Sequence, residues 1–379
     1  MVISLDLADL VVAAGAKSVA IVGTAKNVGK TVTMNYLASK LSERGHVVGL
    51  VSSGRDGETT DSFTGEPKPS VIPPEGTWIA TAEGVLGEAA GSLEIADVFE
   101  KAGLFGRLVL GRVRDAAPLE LVGPQSAKEL ATVVGRLHEY GAQVVLVDGA
   151  LDRVAAASPF VTGAVILSTG AAAGADPTLV ARSAAFIVKV WSLRRPDDPE
   201  VLALASEAID EGHVAFLDGL SGSASPGCSR GSPREAPGRK TSRYVLRRTA
   251  FGTVLGREEE VLSQAKGASF IVVPGAVSET LLSGAGGRPE GDRLAVITKD
   301  PTNLFIRSEP EVPVYVTREM RLLAITVNPV SGRGMSYDPA EMVAEVSREV
   351  LRSAGKSVPV FDVVSGEQEI REVRDVVVG

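Results

Sequence analysis

The sequence predicts an α/β fold, in which a parallel sheet with helices on both faces is followed by a second α/β domain. The first observation behind this prediction is that short apolar runs alternate with amphipathic segments over residues 1–170, as strands and helices do in a helix-covered parallel sheet. The second is a glycine-containing loop that joins the first apolar run to the amphipathic segment after it. The alternation resumes in the C-terminal half of the chain, which predicts the second domain.

The best-defined elements are the first strand and the helix that follows the loop. Residues 18–22 form a short apolar run, as expected of a buried parallel strand. Over residues 30–44 apolar side chains recur at helical spacing, and Gly45 follows at the position where glycine commonly ends a helix. Helices are also predicted at 4–14 and 126–140, strands at 47–51, near Trp78 and at 108–113, 144–147 and 162–167, and loops over the rest of 54–90.

The second half of the chain repeats the same pattern of elements. A break at Arg194-Arg195-Pro196 predicts a boundary between a nucleotide-binding domain at 1–195 and a C-terminal α/β domain at 196–379. Helices are predicted at 177–193, 199–211, 258–265 and 339–354, and strands at 270–273, 294–298, 312–316 and 322–327. The segment 219–242 is rich in Gly, Ser, Pro and Arg, which predicts a solvated, mobile insertion. The alternative is that its arginines contact an acidic partner.

Composition narrows the classes of function. The 39 basic and 47 acidic residues give a net charge of −8, which disfavours nucleic acid or an anionic membrane as the main partner. No apolar run is long enough to span a membrane. Asp6 and Asp9 in the N-terminal apolar stretch do not fit a secretory signal, and Cys228 is the single cysteine, so we expect a cytoplasmic protein without disulfides.

The strongest signal for function is the loop GTAKNVGKTV between the first strand and its helix. Gly-Lys-Thr in this context is typical of a phosphate-binding loop, where backbone N–H groups and the helix N-terminus hold nucleotide phosphates. Lys30 would reach the β- and γ-phosphates, and Thr31 would ligate Mg²⁺. The loop is one residue longer than the usual motif, and an ordinary strand–helix turn is the alternative. The predicted nucleotide contacts are Gly23, Thr24, Ala25, Lys26, Asn27, Val28, Gly29, Lys30, Thr31 and Val32.

A second lysine, Lys26, lies inside this loop. It either stabilises charge on the phosphates, from its own or a neighbouring subunit, or is a solvated surface residue. This leaves a homodimer open as the assembly. The predicted catalytic residues are Lys30, Lys26, Asp148 and Asp56, and the predicted cofactors are ATP and Mg²⁺, with GTP not excluded as the nucleotide.

Acidic residues that follow predicted strands are the candidate metal ligands. Asp148 ends the apolar run at 144–147, so it is expected at the carboxyl edge of the sheet, where it would hold Mg²⁺ directly or through water. A turn-forming aspartate is the alternative. Asp56 follows the second strand and is the other candidate for Mg²⁺ or for positioning water, with Asp61 as a substitute. Asp152 and Arg153 either sense the γ-phosphate or form a local ion pair.

The loop and Asp148 resemble the dethiobiotin synthetase/cobyric acid synthase branch of P-loop proteins over residues 17–170. The chain is more closely similar to the P-loop reactivase subunit associated with bacterial lysine 5,6-aminomutase. That similarity is carried by residues 17–31, 148–153, 299–302, 328–329 and 358–362. The resemblance implies a P-loop fold, ATP-driven release of damaged cobalamin from the aminomutase, and a second ATPase subunit as partner. Only Lys30, Thr31 and Asp148 match functional residues of the family motif. The 219–242 insertion is not a feature that we associate with this family.

The resulting functional hypothesis is a Mg²⁺-dependent P-loop NTPase, using ATP, that couples hydrolysis to a partner enzyme. One alternative is an ATP-dependent ligase or synthetase acting on a small carboxylate. For that chemistry Lys26 and Lys68 are the candidate cations near the γ-phosphate, and Lys68-Pro69 resembles a Lys-Pro of dethiobiotin synthetase. The other alternative is a nucleotide-dependent interaction module with negligible turnover.

Overall fold

The structure is a computed structural model that describes residues 6–54, 70–103, 105–149, 156–220, 242–287, 294–331 and 334–364. Two compact units divide the chain. Unit 1 contains the residues up to Lys189 and those from Met320 onward, and unit 2 is Val190–Glu319. The chain therefore leaves the first unit and later returns to it, which differs from the predicted single boundary at residue 195.

The elements of the first part of the chain begin with α1 (Leu7–Ala13), β1 (Ser18–Gly23), α2 (Lys30–Glu43), β2 (Val48–Ser52) and β3 (Trp78–Ala82). They continue with β4 (Leu93–Gly103), β5 (Gly106–Val113), α3 (Ala127–Glu139), β6 (Val144–Gly149), β7 (Ala164–Gly170) and α4 (Pro177–Trp191). Gly45, just past α2, has a φ of 81°, as the predicted helix end requires.

Unit 2 contains α5 (Pro199–Glu211), β8 (Ala215–Gly219), β9 (Tyr244–Arg248), α6 (Glu258–Gln264), β10 (Ala268–Val273), β11 (Val277–Ser278), α7 (Glu279–Gly286), β12 (Ala295–Thr298), β13 (Leu304–Phe305) and β14 (Val314–Val316). The chain then re-enters unit 1 with β15 (Leu322–Asn328), α8 (Pro339–Ala354) and β16 (Val360–Asp362).

Among the described residues, the strands of unit 1 form one sheet in the order β16-β15-β7-β1-β6-β2-β3-β5-β4. Neighbouring strands are parallel from β16 to β3, and β5 and β4 continue the sheet as an antiparallel hairpin. The predicted α/β class with a mostly parallel sheet is therefore confirmed. Because β1, β6, β2, β7 and β15 run in the same direction, their carboxyl ends meet at one edge, which is where α/β sheets bind ligands.

Helices cover both faces of this sheet. On one face, apolar side chains of α1 and α2, such as Leu7 and Leu37, form a single core with Ile21, Leu50 and Leu146 of the strands. On the other face, α3 packs closely against β2. A Cβ added to Gly49 of β2 would lie 3.5 Å from the Cβ of Leu137 in α3. Strand residues alternate between the faces, so each apolar run is buried on both sides.

In unit 2 the described strands form a sheet in the order β14-β12-β10-β8-β9, with β11 and β13 as a separate parallel pair. β10, β12 and β14 are parallel, and β8 and β9 are antiparallel additions. Apolar residues pack against both faces of this sheet, around Phe216 and Ile271 on one side and around Leu217 and Val272 on the other. This agrees with the predicted α/β character of the C-terminal half.

The predicted domain boundary differs from the structure because β15 pairs with β7. Residues 322–328 align along Val165–Gly170 in a parallel register, and β16 adds to β15 in the same way. The buried Ala324, Ile325 and Val327 therefore belong to the core of unit 1. The strand predicted at 322–327 is therefore present as β15 but belongs to unit 1, whereas β16 was not predicted from the sequence. Within the described ranges, no helix combines the length and the apolar character needed to cross a membrane.

Candidate nucleotide-binding site

The loop between β1 and α2 contains two left-handed residues next to a helix N-terminus. Asn27 has a φ of 60°, and Gly29, the N-cap of α2, has a φ of 92°. Left-handed residues within a turn direct successive backbone N–H groups to one concave side, and the helix N-terminus adds its partial positive charge there. The predicted phosphate loop thus has two backbone features that anion-binding loops use, and its binding of phosphate stays a prediction.

Gly23 and Lys30 show how closely this loop is folded. A Cβ on Gly23 would lie 2.7 Å from Cγ2 of Val28 and 3.1 Å from Cδ of Lys30. Only glycine therefore fits at the end of β1, and the aliphatic stem of Lys30 folds back over it. This arrangement keeps the half-buried Lys30 on the loop side of the helix.

Buried hydroxyl groups anchor the loop to the sheet below it. The backbone N–H of Thr24 donates to the carbonyl of Ser168 at 2.8 Å, and the hydroxyls of Thr24 and Thr169 are 2.9 Å apart. In α2, the hydroxyl of Thr33 lies 2.9 Å from the hydroxyl of Thr326 in β15. The Thr326 hydroxyl is in turn 2.8 Å from the hydroxyl of Ser168 in β7. Burial makes such bonds costly to break, so they fix the start of α2 against β7 and β15.

Asp148 lies at the carboxyl end of β6, between β1 and β2. It is paired in register with Ile21 on one side and Ser52 on the other, and it is buried at 9% exposure. Leu146, two residues earlier, belongs to the core that α2 covers, so Asp148 is on the same face of the sheet as α2. The sequence placed this carboxylate correctly at the strand end, and the structure places it on the face of the sheet that α2 covers.

Two serines beside Asp148 were not identified from the sequence. The hydroxyls of Ser52 and Ser53 are buried and have no hydrogen-bond partner among the described residues, while the Ser53 N–H donates to the Asp148 carbonyl at 2.8 Å. Buried polar atoms without partners are rare in folded proteins and mark places where water, an ion or a ligand binds. Their only sequence signal is their position directly after a predicted strand.

Asn328, at the end of β15, is a further residue that the sequence did not assign to the site. A Cβ on Gly29 would lie 3.0 Å from the Cβ of Asn328 and 3.5 Å from its Nδ2. Asn328 also packs against Gly170 at the end of β7, where a side chain would overlap with the Asn328 carbonyl. The end of β15, which is far from the loop in sequence, therefore forms one wall of the loop.

The other predicted site residues are distributed as follows. Lys26 and Asn27 are exposed on the loop, Ala25 and Thr31 are half-buried, and Val28 is buried beneath the loop. Val32 packs against the core on the α2 side of the sheet. Residues outside the described ranges are Asp56, Asp61, Lys68, Asp152, Arg153 and Cys228, together with 221–241 of the predicted insertion.

The residues present fit a magnesium-bound nucleotide. The absence of a side chain on Gly23 lets Val28 and the stem of Lys30 pack against the end of β1, and the buried Ser52 hydroxyl belongs to the residue paired in register with Asp148. Within the described ranges, no group of three or more His, Cys, Asp or Glu side chains could hold a metal ion without other ligands. Mg²⁺ in nucleotide sites typically has one or two protein oxygens and completes its coordination with phosphate and water, so the Asp148 carboxylate and the Thr31 hydroxyl are donors of the type that Mg²⁺ prefers.

Comparisons with known proteins add no relative from which a function could be transferred. The chain matches no protein-family model, no curated protein and no solved structure.

Proposed function

We propose that unit 1 is a Mg²⁺-dependent P-loop NTPase that binds and hydrolyses ATP. The single observation that carries this proposal is the loop between β1 and α2, whose left-handed Asn27 and Gly29 lead into the helix that begins with Lys30 and Thr31. Phosphate binding by such a loop uses backbone N–H groups and the helix N-terminus, so it does not depend on further basic side chains.

In this proposal each residue has a defined task. The loop N–H groups and Lys30 bind the β- and γ-phosphates, and the Thr31 hydroxyl and the Asp148 carboxylate hold the metal ion. The ion, when bound, neutralises charge that develops on the phosphate oxygens. Ser52 and Ser53 orient water beside Asp148. Asn328 keeps Gly29 in position and offers its amide at the rim of the site.

A direct test is to measure ATP binding and turnover by the purified full chain. We expect ATP to bind in the presence of Mg²⁺, to bind much more weakly when EDTA removes the ion, and to be hydrolysed slowly. Replacement of ATP by GTP in the same assay determines the base preference. Tight binding with no release of phosphate would favour the nucleotide-dependent module, and lack of binding to both nucleotides would refute the proposal.

We further propose, from the family resemblance alone, that turnover is coupled to a cytoplasmic partner enzyme, an adenosylcobalamin-dependent aminomutase. A second ATPase subunit is the other expected partner. A pull-down from the native organism with and without a non-hydrolysable ATP analogue tests this. Recovery of an aminomutase that depends on the analogue supports the coupling. If small carboxylates stimulate ADP formation in the absence of any partner, the synthetase alternative is favoured instead.

A further inference from the structure

A cavity of about 360 Å³ lies in unit 1 between the β4–β5 hairpin, the end of β3 and the start of α3. This volume is within the range of small-molecule sites, roughly 300–1,000 Å³. Its wall consists of Ala82, Phe99, Gly103, Phe105, Gly106, Leu108, Val122, Gly123, Pro124, Gln125, Glu129, Thr132 and Val133. The cavity is separate from the phosphate loop, and no residue predicted from the sequence to bind nucleotide lines it.

The walls of the cavity are held in place by specific contacts. Arg136 of α3 forms an ion pair with Asp97 of β4, and its hydrogen bond lowers the pKa of the Asp97 carboxyl below the usual value. At the hairpin turn, the Gly84 N–H donates to the Phe105 carbonyl at 3.0 Å. Glu83 accepts a hydrogen bond from the backbone N–H of Arg107 at 3.0 Å. The cavity is therefore a formed feature of the fold.

The wall is mainly apolar but leaves large side chains partly exposed. Phe99, Phe105 and Leu108 are half-buried, whereas Val122 and Val133 are buried. Burial of an aromatic side chain is one of the larger single contributions to apolar free energy. A ligand seated in the cavity would complete the burial of these three side chains, which predicts that the body of the ligand is apolar.

The charge in the wall defines the polar end of the ligand. Among the lining residues that the structure describes, Glu129 is the one with a charged side chain, and Thr132 and Gln125 add neutral polar groups. A carboxylate ligand would be repelled by Glu129, and an amine would be attracted. Glu129 also occupies the first turn of α3, where its carboxylate already offsets the positive helix end that could have bound an anion.

We propose that this cavity binds a small organic molecule that has an apolar body and an amine at one end. Gly123 and Pro124, which line it, are hydrogen-bonded to Gly54 at the end of β2, at 3.0 and 2.9 Å. The ligand would thus lie beside the carboxyl edge of the sheet. The assignment depends on the cavity itself and holds whether or not the loop binds nucleotide.

The test uses the full chain without nucleotide and N-phenyl-1-naphthylamine, a neutral apolar dye with one N–H donor that fluoresces in apolar surroundings. We expect saturable binding of one dye molecule per chain. Hexylamine should displace the dye at least about tenfold better than hexanoate, because only the amine can form a charge-assisted contact with Glu129. In Glu129→Gln this preference should disappear while the dye still binds.

Phe99→Ala removes an aromatic wall and should weaken dye binding several-fold. Val98→Ala is the matched control, because Val98 is the adjacent, exposed residue of β4 and does not line the cavity. Thermal unfolding of both variants shows whether the fold is retained. The proposal is overturned if the dye does not bind, if hexanoate competes as well as hexylamine, or if folded Phe99→Ala binds the dye like the wild type.

Discussion

The side chain of Asn328 packs against the backbone of Gly29, so that the end of β15 forms a wall of the loop at which α2 begins. Gly29 has a φ of 92°, which side chains other than glycine rarely adopt. The loop is therefore constrained in two ways at one residue, by its backbone conformation and by a neighbour from the C-terminal part of unit 1.

Gly29→Ala should cost stability and nucleotide affinity together. The left-handed conformation costs a non-glycine residue about 1–3 kcal/mol, and the added methyl group would press on Asn328. Gly45→Ala is the matched control, because Gly45 has a φ of 81° and nothing within 4 Å of an added Cβ. Both variants should unfold at lower temperature, but only Gly29→Ala should lose ATP binding in calorimetry. Equal ATP affinity in the two variants would contradict the role of the loop.

A fragment that ends at residue 195 should fail to fold. It lacks β15, so β7 loses a parallel partner and the core of unit 1 loses Ala324, Ile325 and Val327. Circular dichroism should show no cooperative thermal transition for the fragment and a clear one for the full chain. A cooperatively folded fragment that binds ATP would show that the boundary predicted at residue 195 is a true domain boundary.

Replacement of residues 221–241 by a short Gly/Asn turn should leave the thermal midpoint and basal ATPase activity nearly unchanged. The described ends of this segment are already joined, because the Leu220 N–H donates to the Arg243 carbonyl at 2.9 Å and Gly219 pairs with Tyr244. A short turn can connect two antiparallel strands of this kind. Loss of partner stimulation alone would assign the segment to docking, and a large loss of basal activity would contradict the prediction.

Local signals were sufficient to predict the helices whose ends are marked by capping residues. Helix α5 was predicted at 199–211 and α8 at 339–354, the bounds that the structure has, because Asp and Pro begin each helix and Gly212 or Gly355 ends it. The β1–loop–α2 unit was predicted because Gly23 and Gly29 mark the loop and Gly45 follows the helix. The motif of the predicted phosphate loop is local, so its residues were found together.

Elements and contacts that depend on distant partners were not predicted. Strand β4 was missed because it lies at the sheet edge, where Ile95 and Val98 are exposed and the apolar alternation is interrupted by bulges. Strands β8 and β9 are short and separated by the 219–242 segment. The places of β15 in unit 1 and of Asn328 beside Gly29 are set by long-range pairing, for which a local pattern has no signal.

Asp148→Asn should reduce ATP hydrolysis far more than ATP binding. Asparagine keeps the size and polarity of the side chain but removes the charge that, in the proposed mechanism, holds Mg²⁺. Asp338→Asn serves as the control, because Asp338 caps α8 through its side chain and asparagine caps equally well. Phosphate release measured for both variants tests this. Wild-type hydrolysis by Asp148→Asn would make Asp148 a structural turn residue.

The most direct test of the nucleotide site is calorimetric titration of Lys30→Ala with ATP and Mg²⁺. Loss of a charge-assisted contact of about 1.5–3 kcal/mol should weaken binding by about 10–150-fold. Lys40→Ala is the control on the same helix, because Lys40 forms an exposed ion pair with Glu43 near the other end of α2 and should leave the affinity unchanged. ATP affinity that is the same in Lys30→Ala and the wild type would contradict the assignment of residues 23–32 as a phosphate loop.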